Sequence, residues 1–137
     1  MKTIKFNDLQ LSPVCLGAMN FGTTTSESDA FKVLDAFIDA GGNFIDTSNN
    51  YAHWAGTGDE SETCLGKWLA SRKIRDKVVI ATKVGFDRHG EGAGLKASQI
   101  EYWCNESLRK LGRRELIHQG DQPLGPLPIL YGGPQQV

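Results

Sequence analysis

One stretch constrains this chain more than any other: Ala40-Gly41-Gly42-Asn43-Phe44-Ile45-Asp46-Thr47. Paired glycines occupy left-handed backbone conformations at little cost and stop a helix. Upstream of them Ala30, Phe31, Leu34, Phe37 and Ile38 recur at helical spacing. That run follows Ser26-Glu27-Ser28-Asp29, an N-cap with an acid three residues on. Downstream, Phe44-Ile45 is a short apolar run that reads as a buried strand, and it ends in an acid. A helix that feeds directly into a buried strand belongs to a βα architecture.

The pattern repeats along the chain. Val14-Cys15-Leu16, ending in Gly17, reads as the first strand of the main sheet. Val78-Val79-Ile80-Ala81 reads as the third, buried on both faces of a parallel sheet. Ser61 to Arg72 is a predicted helix with Leu65, Trp68 and Leu69 on one face. Ser98-Gln99-Ile100-Glu101 is a second capping box, followed by a helical stripe of Ile100, Trp103, Cys104, Leu108 and Leu111 that Gly112 stops. The strand-helix units recur at roughly 30 to 35 residues, the spacing of βαβ units. Ahead of them Ile4, Phe6, Leu9 and Leu11 alternate around Asn7-Asp8, which predicts a hairpin with a two-residue turn.

The predicted fold class is therefore α/β, with a parallel sheet and right-handed crossovers. A (β/α)8 barrel and an open doubly wound sheet both fit. The open sheet favours a Gly-x-Gly-x-x-Gly turn after the first strand, and Gly17-Ala18-Met19-Asn20-Phe21-Gly22 does not supply one. Polar segments connect the units: a loop from Ser48 to Asp59 holding Tyr51, His53 and Trp54, and a glycine-rich loop from Gly85 to Gly94. From Arg113 the pattern breaks. Pro123, Pro126, Pro128 and Pro134 are too dense for a helix or a central strand, so the tail is expected to be irregular.

A formal net charge of -1 gives no electrostatic reason to expect nucleic acid or an anionic membrane as partner. The apolar runs are too short to span a bilayer, and Met1 to Asp8 lacks the apolar core of a signal peptide, so a cytoplasmic location is expected. Cys15, Cys64 and Cys104 form no Cys-x-x-Cys pair, and His53, His89 and His118 are scattered. No metal site is expected, and the cysteines read as small buried hydrophobes.

In a parallel βα sheet, sites lie at the carboxyl ends of strands. Asp46 ends the second strand, Lys83 lies just past the third, and Tyr51 follows Asp46 in the same loop. Each residue has an ordinary reading: a capping carboxylate, a solvated lysine, a packed tyrosine. Together they suit proton donation from a phenol. Free tyrosine, with a pKa near 10, is a weak acid at neutral pH. A nearby ammonium favours the phenolate, and a carboxylate holds that ammonium charged and in place.

These same residues resemble the N-terminal part of an aldo-keto reductase. The likeness runs through the opening hairpin, Leu16-Gly17, and Ala40 to Thr47. It continues through Tyr51, Ser61-Glu62-Thr63-Cys64-Leu65-Gly66, Ile80-Ala81-Thr82-Lys83, and Ser107-Leu108-Arg109-Lys110-Leu111-Gly112. The resemblance implies a (β/α)8 TIM barrel whose hairpin covers the bottom. It implies NADPH as cofactor and a small-molecule carbonyl substrate, an aldehyde or ketone reduced to an alcohol by hydride transfer. Carried over, Tyr51 is the proton donor, Lys83 lowers its pKa, and Asp46 pairs with Lys83; cofactor-binding residues are not assigned.

A complete barrel takes about 250 residues. The expected organisation is therefore residues 1–112 as the first three βα units of a barrel, preceded by the hairpin, and residues 113–137 as an irregular tail. Arg113 to His118 is a poor match to the family's fourth strand and its histidine. The chain alone is expected to be inactive, loose and prone to association. Ile45, Val79 and Ala81 are expected to face the open interior. The alternative expectation is a fragment that is no enzyme and acts through association with another subunit, or with itself, at an exposed sheet edge.

Overall fold

The computed structural model describes residues 1–85 and 96–112. The expectations for the glycine-rich loop beyond Gly85, including His89, and for the tail with His118 lie outside the described residues. Strands β1 (Ile4–Phe6) and β2 (Leu9–Leu11) form the expected antiparallel hairpin, in register Ile4 with Leu11 and Phe6 with Leu9. Asn7 turns it with a φ of 51°, a conformation that asparagine tolerates better than most residues.

The second sheet is parallel: β3 (Cys15–Gly17), β4 (Phe44–Asp46) and β5 (Val79–Ala81), lying side by side in chain order. Helix α1 (Glu27–Asp39) joins the first two strands, and α2 (Glu60–Arg72) with a short 3-10 turn, Arg75–Lys77, joins the second pair. Helix α3 (Ala97–Lys110) follows β5. Among the described residues, β3 and β5 each pair on one side only.

Local chemistry sets the ends of α1 as expected. The Ser26 hydroxyl accepts from the Asp29 N–H at 3.2 Å and donates to the Asp29 carboxylate at 2.8 Å. At the other end Gly42 N–H reaches the Phe37 carbonyl and Gly41 N–H the Ile38 carbonyl, the paired bonds of a Schellman motif. Gly41 takes a φ of 85°, which a side chain would strain. In α3 the expected cap at Ser98 is displaced. The helix begins at Ala97, and Gln99 Oε1 accepts from the Lys96 N–H at 3.3 Å. Its predicted stripe is only half-buried at Ile100, Trp103, Cys104 and Leu108.

The core lies between the sheet and the helices. Leu34, Ile45, Leu65 and Trp68 are fully buried there, with Leu16 and Ile80 packed against them. Strand alternation explains this set: Leu16, Ile45 and Ile80 are register partners and share one face. Ile45 therefore points under the helices, and the expectation that it faces an open interior is corrected. The opposite face carries Cys15, Phe44, Val79, Asp46 and Ala81. The expectation that β5 is buried on both faces is also corrected, since all three of its residues are half-buried. Of the cysteines only Cys64 is buried; Cys104 is half-buried and Cys15 exposed.

Gly66 allows α2 and α3 to approach closely, because a Cβ there would collide with the Lys110 carbonyl. At the amino end of β4 the Asn43 side chain accepts from Ser12 N–H at 2.7 Å and donates to the Gln10 carbonyl at 2.8 Å. The hairpin is thus tied to the end of the sheet opposite Asp46. Among the described residues no helix is long and apolar enough to cross a membrane.

Candidate active site

The carboxyl ends of β4 and β5 bring the three singled-out residues together. Lys83 Nζ donates to both oxygens of Asp46, at 2.7 and 2.9 Å, and to the Thr47 carbonyl at 2.8 Å. Three acceptors match the three protons of an ammonium, so Lys83 is held in one position. The Tyr51 hydroxyl donates to Asp46 Oδ2 at 2.8 Å. The Lys83 ammonium also stands 4.5 Å from the centroid of the Tyr51 ring. Asp46 and Lys83 keep about a quarter of their side-chain surface, 29% and 22%, so the pair is shielded yet reachable from solvent.

The strands and the loop after β4 produce this geometry through backbone bonds. Thr47 N–H reaches the Ala81 carbonyl at 2.8 Å, and Asn49 N–H reaches the Lys83 carbonyl at 3.1 Å. The Ser48 hydroxyl donates to Asn50 Oδ1 at 2.7 Å and approaches the Lys83 carbonyl at 3.3 Å. Tyr51 folds back over Asp46, and the chain then turns through Ala52 at a φ of 62°. In the same loop His53 packs edge-on to Trp54, whose ring is largely exposed.

Burial pushes the Tyr51 phenol above its ordinary pKa; Lys83 pulls it down, and the Asp46 carboxylate pushes it up again. The net direction is upward. Lys83 acts in the expected sense, but at this rim burial and Asp46 outweigh it. The phenol stays protonated across the neutral range and holds its proton available for a stronger base.

Four further residues stand next to the trio in the chain or bond to its neighbours, and residue-type reading of the sequence did not single them out for the site: Thr47, Ser61, Glu62 and Thr82. Ser61 and Glu62 lie in the first turn of α2 and are fully buried. The signal was their spacing, since Glu62 stands three and seven residues before Leu65 and Leu69 on the buried face.

A nicotinamide cofactor needs cationic groups for its phosphates and an acid near its reacting carbon. The segments that follow the strands, residues 18–25, 47–59 and 82–85, contain one lysine and no arginine, and that lysine is committed to Asp46 and Thr47. Among the described residues these segments therefore offer no uncommitted lysine or arginine to a phosphate. Among the described residues no group of three or more His, Cys, Asp or Glu side chains is placed to hold a metal.

Known proteins are similar to this chain in sequence and in fold. Norsolorinic acid reductase B of Aspergillus parasiticus is 42% identical over 120 residues, covering 75% of this chain and 30% of that protein. Aldo-keto reductase ausK of Emericella nidulans is 44% identical over 119 residues, covering 75% and 29%. The solved structure of aldo-keto reductase AKR11C1 from Bacillus halodurans, in its holo form, superposes with a TM-score of 0.66 at 29% identity, covering 82% of this chain and 37% of that one. Across these and other curated relatives the chain spans from 27% to 54% of their length. The Aldo/keto reductase family model matches residues 13–117, well over half of the sequence, and the chain belongs to that family.

Proposed function

We propose that residues 1–112 form the proton-donating portion of an NADPH-dependent (β/α)8-barrel reductase that turns aldehydes or ketones into alcohols. On this reading residues 113–137 are a separate tail, the hairpin covers the barrel bottom, and the setting is cytoplasmic. The observation that carries it is the bonded trio: a phenol on a carboxylate that is itself locked to an ammonium. When bound, the cofactor supplies the hydride; this chain's residues supply the proton.

Tyr51 is the general acid in this proposal. A carbonyl oxygen that gains negative charge becomes a far stronger base than a carboxylate, so a buried phenol protonates it readily. The phenolate left behind is met by the Lys83 ammonium beside the ring. Asp46 holds Lys83 fixed, and a partly buried ammonium that loses its carboxylate partner is costly.

The test joins residues 1–112 to the remaining strands of a related reductase and follows nicotinamide absorbance with a reactive aldehyde. Tyr51→Phe removes one hydroxyl and is expected to lower turnover by about 10²- to 10⁴-fold while leaving the fold intact. Near-normal turnover in that variant overturns the assignment. The 137-residue chain alone is expected to show no sustained turnover. The edges of β3 and β5, unpaired among the described residues, favour association as its alternative behaviour, through another subunit or a second copy. Sedimentation of the chain alone separates the two readings.

A further inference from the structure

Ser61 and Glu62, in the first turn of α2, touch the residue following each strand of the parallel sheet. The Ser61 hydroxyl donates to the carbonyl of Ala18, one residue past β3, at 2.7 Å. The same oxygen lies 2.7 Å from Thr47 Oγ1, one residue past β4. Glu62 Oε1 accepts from Thr82 Oγ1, one residue past β5, at 2.7 Å. Both side chains are fully buried, so these bonds form away from water, where an unmade bond is costly.

Two of the three contacted residues are next to the chemistry. Thr47 follows Asp46, and its carbonyl takes the third proton of Lys83. Thr82 precedes Lys83. A buried glutamate is costly to hold as a mere filler. Here Lys110 meets its other oxygen at 3.5 Å and Asp59 at 2.5 Å, and only 5% of the Lys110 side chain is exposed. The charge is thus compensated from the end of α3, which leaves Glu62 Oε1 free to hold Thr82.

We infer that Ser61 and Glu62 are positioning residues: a clamp that aligns the three strand ends and thereby holds Lys83 on Asp46. The inference concerns the site of the reductase reading, yet its test reads the placement of Lys83 without turnover, so the failure of one is distinguishable from failure of the other.

Thr82 is the place to cut the clamp, because Thr82→Val keeps shape and loses only the donor, while Thr82→Ser keeps the donor. The full 137-residue chain is acylated with a trace of acetic anhydride, and mass spectrometry gives the rate at Lys83 relative to the exposed Lys32 and Lys67. Thr82→Val is expected to raise the relative rate at Lys83 by about fivefold or more, the factor that corresponds to loss of about one buried hydrogen bond. Thr82→Ser is expected to restore the wild-type rate, and Ser61→Ala to act in the same direction as Thr82→Val. An unchanged rate in a folded Thr82→Val overturns the inference. So does an equal rise in Thr82→Val and Thr82→Ser, since Ser keeps the donor and the rate would then not follow the hydrogen bond. Unfolding of Thr82→Val alone would also overturn it, since the bond would then serve the whole fold and not Lys83.

Discussion

The two faces of the three-stranded sheet do different work. On the helix side Leu16, Ile45 and Ile80 meet Leu34, Leu65 and Trp68, with Ile45 and Trp68 fully buried. On the other side Phe44 and Asp46 are half-buried and Cys15 is exposed. The first face is held by apolar contact, which is non-directional and follows area removed from water. The second is held by directed bonds among a few polar groups at its carboxyl rim. The difference separates what keeps α1 and α2 on the sheet from what keeps Lys83 on Asp46.

The largest expected effect is at Trp68. Its ring fills the helix-side core, and its indole N–H donates to Asp35 Oδ1 at 2.8 Å. Trp68→Ala is expected to cost about 3–5 kcal/mol in urea unfolding, enough to abolish a cooperative transition in a small domain. The counterpart on the other face is Phe44→Ala. With that ring only half-buried, the expected loss is about 1 kcal/mol. Equal losses at the two positions would show that the second face is packed as tightly as the first, and the comparison would fail. A loss near zero at Phe44 would sharpen it.

Much of this division was legible in the residues alone. Gly41-Gly42 announced the stop of α1, Ser26 its start, and Asn7-Asp8 the hairpin, because each is a short-range device whose partners lie within a few residues. Asp46, Tyr51 and Lys83 were legible because strand ends and the loop after β4 fix where they emerge. The facing of Ile45 was not: in a three-residue strand, alternation gives no phase, and register with Leu16 and Ile80 decides it. Ser61 and Glu62 were passed over as site residues because polar residues at a helix start usually face water. Ser98 misled for a different reason. A capping box was present in sequence, but Gln99 reached the Lys96 N–H first, and Ala97, a strong helix former, extended the helix upstream.

The smallest expected effect lies at the phenol, and its sign tests which influence rules the rim. Burial raises the Tyr51 pKa most, Lys83 opposes it, and Asp46 adds to burial. Because the folded-state value lies above the unfolded value of 10.0, the native state keeps its proton where the unfolded chain loses it. The contribution of Tyr51 to stability is therefore complete below pH 10.0 and is lost as pH rises through the folded value. Phenolate absorbance of the wild type minus that of Tyr51→Phe isolates this one group from the other tyrosines. The expected midpoint lies above 10.0, and the decline in stability across that window is expected to be smaller in Tyr51→Phe. Lys83→Met should move the midpoint further up, since it removes the influence that lowers it. A midpoint below 10.0 would mean that the ammonium outweighs burial and Asp46 at the rim. The sheet's second face would then be governed by charge alone, and the phenol would be a stronger acid than its buried setting allows.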